Sequence, residues 1–278
     1  MFIKEAQTIY FSPTHTSKQI AEAIVRGTEI ESVETKDITL GVIPETILPA
    51  STLAVIAVPV YGGRVAPLAM ERLRNIRGRN TPAVLVVVYG NRAYEKALVE
   101  LDLLMTQQGF KVIAGGTFIG EHSYSNSKYP IAQCRPNAND YQMAHRFGQD
   151  VAQKIAAANS LDTLYATDVN RIARPVQPFF QLLRFTSKVV ALRRRGTLIP
   201  RTPWVEDEKR CVHCGICVKG CPAQAIAPGD ELNTDPSSCI KCCACVKNCP
   251  HQARVYDTPF AGLLSQCFSK QKKPQTIF

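Results

Sequence analysis

Residues 211–222 read CVHCGICVKGCP, and residues 239–250 read CIKCCACVKNCP. Both runs follow the pattern C-x2-C-x2-C-x3-C-P, in which three cysteines recur at every third residue and a fourth precedes a proline. Of the 11 cysteines in the 278-residue chain, only Cys134 lies before Cys211, and the other ten fall between Cys211 and Cys267. This concentration predicts metal ligation in a reducing compartment rather than a disulfide framework.

The spacing resembles that of bacterial ferredoxins, which hold two [4Fe-4S] clusters. Three cysteines at every third residue wrap one cubane, while the fourth points toward the other cluster, so the two ligand sets cross. We expect one cluster to be held by Cys211, Cys214, Cys217 and Cys249. We expect the other to be held by Cys239, Cys242, Cys245 and Cys221. Structural zinc is the alternative, but zinc sites of four cysteines pair two C-x2-C elements and have no use for a third cysteine in register.

Several residues near the ligands fall outside this register. We interpret Cys243 as a small packing residue beside a cluster rather than as a ligand. His213 and His251 adjoin ligands, where a histidine either tunes the cluster potential through a hydrogen bond or lies in solvent. The sequence favours the solvent-exposed position for both.

Residues 1–160 alternate short apolar runs with amphipathic helical periods. The predicted strands are 7–11, 32–37, 53–59, 83–89 and 111–118, and the predicted helices are 17–26, 67–77, 93–108 and 138–159. The third and fourth strands are nearly continuous Val, Ile, Leu and Ala, which is typical of parallel strands covered on both faces. Strands that alternate with helices in this way predict an α/β fold with a doubly wound, five-stranded parallel sheet.

Three loops leave the predicted carboxyl ends of these strands, where ligands bind in open α/β sheets. Residues 11–17 read FSPTHTS and enter a helix, whose free N–H groups and nearby hydroxyls suit an anion, although simple helix capping is an equal interpretation. Residues 59–64 read PVYGGR and residues 89–94 read YGNRAY. Tyrosine beside glycine suits a flat ring, because tyrosine stacks on the ring and the glycine backbone approaches its edge. Alternatively, Tyr61 and Tyr89 are ordinary loop residues.

Residues 9–16, IYFSPTHT, are similar to the phosphate loop of flavodoxins, T/S-x-T-G-x-T, and the later loops resemble the two flavin-ring loops. With the cysteine runs, nearly the whole chain resembles the flavodoxin-ferredoxin fusion family. The resemblance implies FMN in a flavodoxin-like domain, followed by a small α+β ferredoxin-like domain. The residues implied at FMN are Ser12, Thr14, His15, Thr16, Ser17, Pro59, Val60, Tyr61, Gly62, Gly63, Arg64, Tyr89, Gly90 and Asn91. His15 stands where flavodoxins have glycine, so either the backbone differs or a charge points toward the phosphate.

The expected organisation has four segments. These are a flavodoxin-like FMN-binding domain at 1–160, a basic connector with a short amphipathic helix at 161–203, a 2[4Fe-4S] ferredoxin domain at 204–260 and a C-terminal tail at 261–278. A further motif, GEHSYS at 120–125, follows the fifth strand. Its Glu121 and His122 suggest a catalytic acid or a loop that closes over the flavin, and an ordinary exposed loop is an equal alternative.

The formal net charge of +10 is largely offset by two oxidised clusters of about −2 each and a flavin phosphate of about −1.5 to −2, so the basic composition is a weak argument for nucleic acid. No apolar run approaches the ~20 residues that span a bilayer, and the first residues do not form a leader. We therefore expect a cytoplasmic protein.

These features favour an electron-transfer flavo-iron-sulfur protein, closer to an oxidoreductase than to a simple binding module. No G-x-G-x-x-G nicotinamide segment is present. The expected exchange partner is therefore a redox protein, such as an acidic ferredoxin or a flavoenzyme. The alternative is a redox-responsive protein whose basic segment 171–201 docks nucleic acid or an anionic membrane surface.

Overall fold

The structure is a computed structural model that describes residues 3–196 and 201–278. Residues 197–200, which belong to the predicted connector, lie outside the described residues. The strands are β1 Glu5–Tyr10, β2 Val33–Asp37, β3 Thr46–Leu48, β4 Thr52–Tyr61, β5 Arg64–Val65, β6 Ile76–Gly78, β7 Thr81–Tyr89, β8 Phe110–Ile119, β9 Trp204–Val205, β10 Arg254–Val255 and β11 Gln275–Ile277. The helices are α1 Thr16–Thr28, α2 Pro67–Leu73, α3 Ala97–Gln107, α4 Ala138–Ala157, α5 Phe179–Arg194, α6 Ile216–Lys219, α7 Ala244–Lys247 and α8 Pro259–Cys267.

The main sheet has the strand order β2-β1-β4-β7-β8-β11, with β5 paired to β4 beside this path. The first five strands of that path are parallel, and β11 runs antiparallel to β8. The five predicted strands therefore take the order 2-1-3-4-5, which is the flavodoxin-like order of doubly wound folds. The α/β prediction is confirmed, with an additional antiparallel strand at one edge.

Helices α1 and α4 cover one face of this sheet. Ile20 and Ile24 of α1 and Phe147 of α4 are almost completely buried in one core cluster with sheet residues. The two helices approach closely at a pair of glycines: a Cβ atom added to Gly27 would lie 1.9 Å from the carbonyl oxygen of His145, and one added to Gly148 would lie 2.0 Å from that of Ile24. This contact fixes α1, whose N-terminus lies at the carboxyl edge of the sheet.

The structure divides into two compact units that differ from the four predicted segments. The sheet unit comprises the chain up to Gly120 together with Cys134–Pro175 and Lys272–Phe278. The cysteine unit comprises Glu121–Gln133 and Val176–Gln271. The loop after β8 thus belongs to the cysteine unit, and the last residues of the chain belong to the sheet unit.

Three predicted boundaries shift for physical reasons. The predicted helix 67–77 ends at Leu73, because Ile76–Gly78 pairs with β3 as strand β6. The start of the predicted connector packs on the sheet unit, where Leu164 and Val169 are fully buried. The predicted C-terminal tail contains α8 and the paired strand β11.

In the cysteine unit, a short antiparallel ladder joins β9 to β10. Helices α6 and α7 each begin after a residue in the left-handed conformation, Gly215 (φ 71°) and Cys243 (φ 59°). Helices α5 and α8 contribute to a separate apolar cluster that includes Phe185, Leu264 and Phe268. Among residues 3–196 and 201–278, no helix is long and apolar enough to cross a membrane.

Candidate functional site

Two cavities in the cysteine unit gather the cysteines into two sets. Cavity 1 is lined by Cys211, Cys214, Cys217 and Cys249. Cavity 2 is lined by Cys221, Cys239, Cys242 and Cys245, with Cys243 beside them. Each set takes three cysteines from one run and the fourth from the other, which is the crossed arrangement expected from the spacing.

The two cysteine runs fold alike. The backbone N–H of Ala225 donates to Cys221 Sγ at 3.3 Å, and that of Ala253 donates to Cys249 Sγ at 3.4 Å. Both donors lie four residues after the last cysteine of a run. Such N–H···S bonds stabilise a negatively charged sulfur, so both crossed thiols lie in an environment prepared for metal ligation.

The two cavities differ in their exposure to solvent. In cavity 1 Cys214 is exposed, whereas in cavity 2 Cys242 is buried. Burial raises the pKa of Cys242 to about 12 and the pKa of Cys245 to about 11. In the described part of the chain, no three His, Cys, Asp or Glu side chains meet around the position of a single ion. A cubane spreads its four thiolates over four iron atoms instead.

Two predicted neighbours of the ligands have defined surroundings. Cys243 is 1 % exposed, and its thiol donates to the carbonyl oxygen of Lys241 at 3.6 Å. His213 Nδ1 lies 2.9 Å from a carboxylate oxygen of Glu231, although the histidine side chain remains 54 % exposed. Glu231 lines cavity 1, and its hydrogen bond with His213 lowers its pKa. His213 is thus partly exposed, as the sequence favours, and also paired.

Arg254 is a site residue that the sequence reasoning missed. It is 3 % exposed and lines cavity 1. It holds the fifth position after the last cysteine of its run, where the other run has Ile226. The sequence does carry a signal for Arg254: the first run has an aliphatic residue at this position, whereas the second run has a charged one.

The motif at 120–125 belongs to the cysteine unit beyond Gly120. Lys247 Nζ donates to the carboxylate of Glu121 at 2.7 Å and to the carbonyl oxygen of Ser125 at 2.8 Å. Tyr124 packs on Tyr256 with the ring centroids 5.0 Å apart, and burial raises the pKa of Tyr124 to about 12. The Glu121 carboxylate is held in an ion pair within the cysteine unit, and its catalytic role stays a prediction.

In the sheet unit, the loop between β1 and α1 leads directly into the helix N-terminus. His15 adopts the left-handed conformation (φ 66°), which glycine, the residue of the flavodoxin pattern at this position, adopts most readily. Ser12 Oγ accepts the N–H of Lys18 at 3.0 Å, and Ser12 N–H donates to Thr39 Oγ1 at 2.9 Å. The Ser17 hydroxyl is fully buried and has no hydrogen-bond partner among the described residues. Thr14 and Thr16 are half-buried beside it.

The loop after β4 also fits the sequence prediction in part. Tyr61 is half-buried at the end of β4, and Gly62 and Gly63 turn the chain with φ of 60° and 84°. Open space surrounds the position of a Cβ at Gly62, so a ligand can approach its backbone. Arg64 instead makes a two-pronged ion pair with Glu100, at 2.9 and 2.6 Å. Pro59 and Val60 are half-buried in the ladder before it.

The loop after β7 differs from the prediction. Tyr89 is 2 % exposed and packs edge-on against Tyr94, with the ring centroids 5.7 Å apart. Tyr89 therefore cannot stack on a ring from an open loop, because it ends a strand that is buried along its whole length. Asn91 Oδ1 accepts the N–H of Lys272 at 2.8 Å, so its side chain holds the C-terminal segment. Gly90 lies half-buried between them.

Comparison with known proteins gives one family match, in the cysteine unit. Residues 203–250 match the 4Fe-4S dicluster domain family. None of the curated proteins matches the sequence. Among solved structures, the chain is similar to a flavodoxin from the domain Archaea, with 15 % identity, 55 % of this chain and 99 % of that chain covered, and a TM-score of 0.37.

Two further solved structures are similar to the chain. One is a flavodoxin from Streptococcus pneumoniae, with 15 % identity, 54 % and 99 % coverage, and a TM-score of 0.38. The other is an NADH:FMN oxidoreductase in its apo form, with 13 % identity, 59 % and 95 % coverage, and a TM-score of 0.38. Because these identities and TM-scores are low, the flavodoxin-like assignment depends on the strand order of the main sheet and not on these neighbours.

The fold and the cysteine cavities define an iron-sulfur protein with a doubly wound α/β sheet. The chain combines a flavodoxin-like sheet with a 4Fe-4S dicluster domain, as the resemblance to flavodoxin-ferredoxin fusions implies.

Proposed function

We propose that the protein transfers electrons between FMN, two [4Fe-4S] clusters and a redox protein partner. The observation that supports this most strongly is the pair of cavities, each lined by three cysteines of one run and the fourth of the other. Cys211, Cys214, Cys217 and Cys249 would hold one cluster, and Cys239, Cys242, Cys245 and Cys221 the other. When bound, the clusters supply one-electron chemistry and FMN supplies one- or two-electron chemistry. Thiolate ligands of this kind suit a reducing compartment such as the cytoplasm.

For FMN, the loop at the N-terminus of α1 supports the proposal best. The unpartnered Ser17 hydroxyl and the helix N-terminus offer donors to a phosphate. Ser12, Thr14 and Thr16 flank it and would complete the phosphate site. Tyr61 and the open backbone at Gly62 would face the ring. Three predicted residues would support the FMN loops rather than contact FMN, because each already contacts another part of the protein. Arg64 pairs with Glu100, Tyr89 packs on Tyr94, and Asn91 accepts the backbone N–H of Lys272.

The partner surface that we propose surrounds cavity 1. Cys214 is exposed there, beside the exposed apolar side chains of Val212 and Ile216, which are 56 % and 42 % accessible. Arg210 lines the same cavity, and Lys219 is exposed on α6. An apolar centre with basic residues around it suits an acidic redox protein, whose approach the charges would steer.

Cofactor content tests the core of this proposal. Anaerobic purification of the full chain is expected to give about eight irons and eight sulfides, with about one releasable FMN. Cys214→Ser should lower the iron content, while the matched variant Cys134→Ser, outside both cavities, should keep it. Iron without flavin would remove FMN from the proposal and leave the clusters.

A second candidate function comes from helix α5. None of its side chains is fully buried, and Phe179, Phe180 and Leu183 are 71 %, 78 % and 56 % exposed. Arg193 and Arg194 occupy its last turn. Exposed aromatic and aliphatic groups on a helix that ends in basic residues favour an anionic membrane surface over nucleic acid, because apolar side chains can insert among lipids.

Vesicle sedimentation distinguishes this second candidate. The protein should sediment with vesicles of anionic lipid and remain free with zwitterionic vesicles. Replacing Phe179 and Phe180 by serine should abolish sedimentation, whereas Val42→Ser, at a residue 65 % exposed in the sheet unit, should not. Absence of sedimentation with anionic lipid at physiological salt would refute membrane docking.

A further inference from the structure

Arg254 is a buried cation in the cysteine unit. Its side chain is 3 % exposed, and its guanidinium donates to the carbonyl oxygens of Glu231 and Pro203 and to the hydroxyl of Thr234. Its Nε atom is buried and has no hydrogen-bond partner among the described residues. The guanidinium is thus removed from water while its contacts are with neutral groups.

A buried guanidinium needs a compensating negative charge, because the loss of hydration is not recovered from neutral acceptors alone. The contacts of Glu231 with Arg254 come from its main chain, while its carboxylate pairs with His213. Within the described part of the chain, no carboxylate forms an ion pair with Arg254. The compensating charge must therefore come from another source.

As thiolate ligands of the proposed clusters, the cysteine sets are the anions that Arg254 can reach. The residue lines cavity 1, while Pro203 and Thr234, which accept from its Nη2 atom, line cavity 2. Arg254 therefore adjoins the linings of both cavities.

The duplicated motif shows that packing alone does not require an arginine here. Ile226 holds the equivalent position of the other run, lines cavity 2 and is equally buried at 3 % exposure. An aliphatic side chain therefore fills this position in one half of the unit. The second half of the unit differs by carrying a positive charge, that of Arg254, at this position.

We infer that the buried guanidinium of Arg254 serves both clusters. Its fixed positive charge raises the reduction potential of each. The physical reason is that each cluster gains a negative charge on reduction, and a nearby buried cation stabilises the more negative state. Because one guanidinium serves both sites, its loss should affect both potentials. This inference rests on the proposed clusters.

The test is an anaerobic redox titration of the full-length holoprotein, followed by electron paramagnetic resonance, with iron content measured on each sample. Arg254→Ile copies the side chain of the equivalent position, and Arg254→Gln keeps hydrogen-bonding capacity without charge. Arg254→Lys keeps the charge. The matched control is Lys209→Gln, which removes one positive charge that is exposed to solvent.

Both midpoint potentials are expected to shift to more negative values in Arg254→Ile and Arg254→Gln. They should stay near the wild-type values in Arg254→Lys, which keeps the charge, and in Lys209→Gln, because solvent screens an exposed charge. Loss of iron in the two neutral variants with retention in the lysine variant would also support the role of charge.

Unchanged potentials in the neutral variants, or loss of iron in all three Arg254 variants, would overturn the inference. Either result leaves the proposed function intact, provided that the wild-type protein holds eight irons. A wild-type protein without clusters would instead remove the proposed function.

Discussion

His15 shows how a single residue preserves a backbone shape that another residue type usually supplies. The sequence left two outcomes open at this position, an altered loop or an added charge near the phosphate. The structure keeps the left-handed backbone, with φ 66° and the side chain exposed. For a residue with a Cβ atom this conformation costs about 1–2 kcal/mol, so the loop geometry is maintained at the expense of stability.

Substitution at His15 should reveal that cost. His15→Val is expected to lower the free energy of unfolding by about 1–2 kcal/mol, because a β-branched residue tolerates positive φ poorly. His15→Gly should leave the protein at least as stable as the wild type. Chemical denaturation measures both variants, and a valine variant as stable as the glycine variant would contradict the left-handed conformation.

Lys154 gives a prediction about pH. It is 8 % exposed, and its ammonium donates to the carbonyl oxygen of Ile113 at 2.7 Å and to Thr167 Oγ1 at 2.9 Å. Burial, with a smaller effect from Lys111, lowers the pKa of Lys154 from 10.5 to about 8. The unfolded chain therefore binds more protons between pH 8 and 10.5, so stability should rise with pH across that window.

The measurement compares wild type with Lys154→Met, because the other titrating groups cancel in the difference. Below pH 8 Lys154 is charged in the folded wild-type protein, so the unfavourable free energy of burying the ammonium lowers its stability in full. Its free energy of unfolding, relative to the methionine variant, should rise by on the order of 1–3 kcal/mol between pH 8 and 10.5. A constant difference over this range would show that the pKa is not lowered.

At the residue scale, the sequence predicts which cysteines meet but not which neighbours are buried. Cysteine spacing carries the crossed arrangement because it is a local geometric constraint. Tyr89 and Arg254 are different, since their burial depends on which strands and loops cover them. A tyrosine beside glycine looks the same in sequence whether its ring is open to a ligand or packed on Tyr94.

At the scale of elements, the contact between α1 and α4 depends on Gly27 and Gly148. Gly148→Ala is expected to lower the free energy of unfolding by about 1–3 kcal/mol, because the new methyl group would overlap the carbonyl oxygen of Ile24. Intrinsic helix propensity predicts the opposite sign, since alanine is favoured over glycine by about 1 kcal/mol.

The control for this prediction is Gln153→Ala, at an exposed position of the same helix. It should change stability by less than about 0.5 kcal/mol, as is usual for surface sites. Thermal and chemical denaturation of the two variants provide the comparison. A stabilised Gly148→Ala variant would mean that the helices do not approach as closely as described.

The sequence predicts the strands and helices that have a strong hydrophobic pattern. It does not predict short strands whose formation depends only on pairing with a neighbouring strand. The five parallel strands are apolar runs with a clear period, and the sequence places them within a few residues of their observed bounds. Strands β6 and β11 are three residues each, and their stability comes from ladder hydrogen bonds rather than from an apolar face. Such short edge strands leave no periodic signal.

At the scale of the whole molecule, the chain passes between the two units four times, at Gly120, Gln133, Pro175 and Gln271. The sheet unit is thus completed by residues that follow the entire cysteine unit in sequence. A protein cut at the predicted boundary near residue 160 would lack β11 and would expose the edge of β8.

Deletion of residues 272–278 tests this arrangement. It removes β11, which pairs with Gly115, Gly116 and Thr117 of β8, and the hydrogen bond from Lys272 to Asn91. We expect the melting temperature of the sheet unit to fall by roughly 4–8 °C for a loss of ~2 kcal/mol, with light scattering from association of the exposed edge. Deletion of Phe278 alone, which lies outside β11, should have little effect.

The position of β11 also constrains the order of events during synthesis. Because Gln275–Ile277 leaves the ribosome after all eight cysteines of the two sets, the main sheet acquires its last strand only when the cysteine unit has been fully translated. Until then β8 presents an unpaired edge, the kind of surface through which nascent chains associate. Iron supply and completion of the main sheet therefore fall in the same late interval of synthesis.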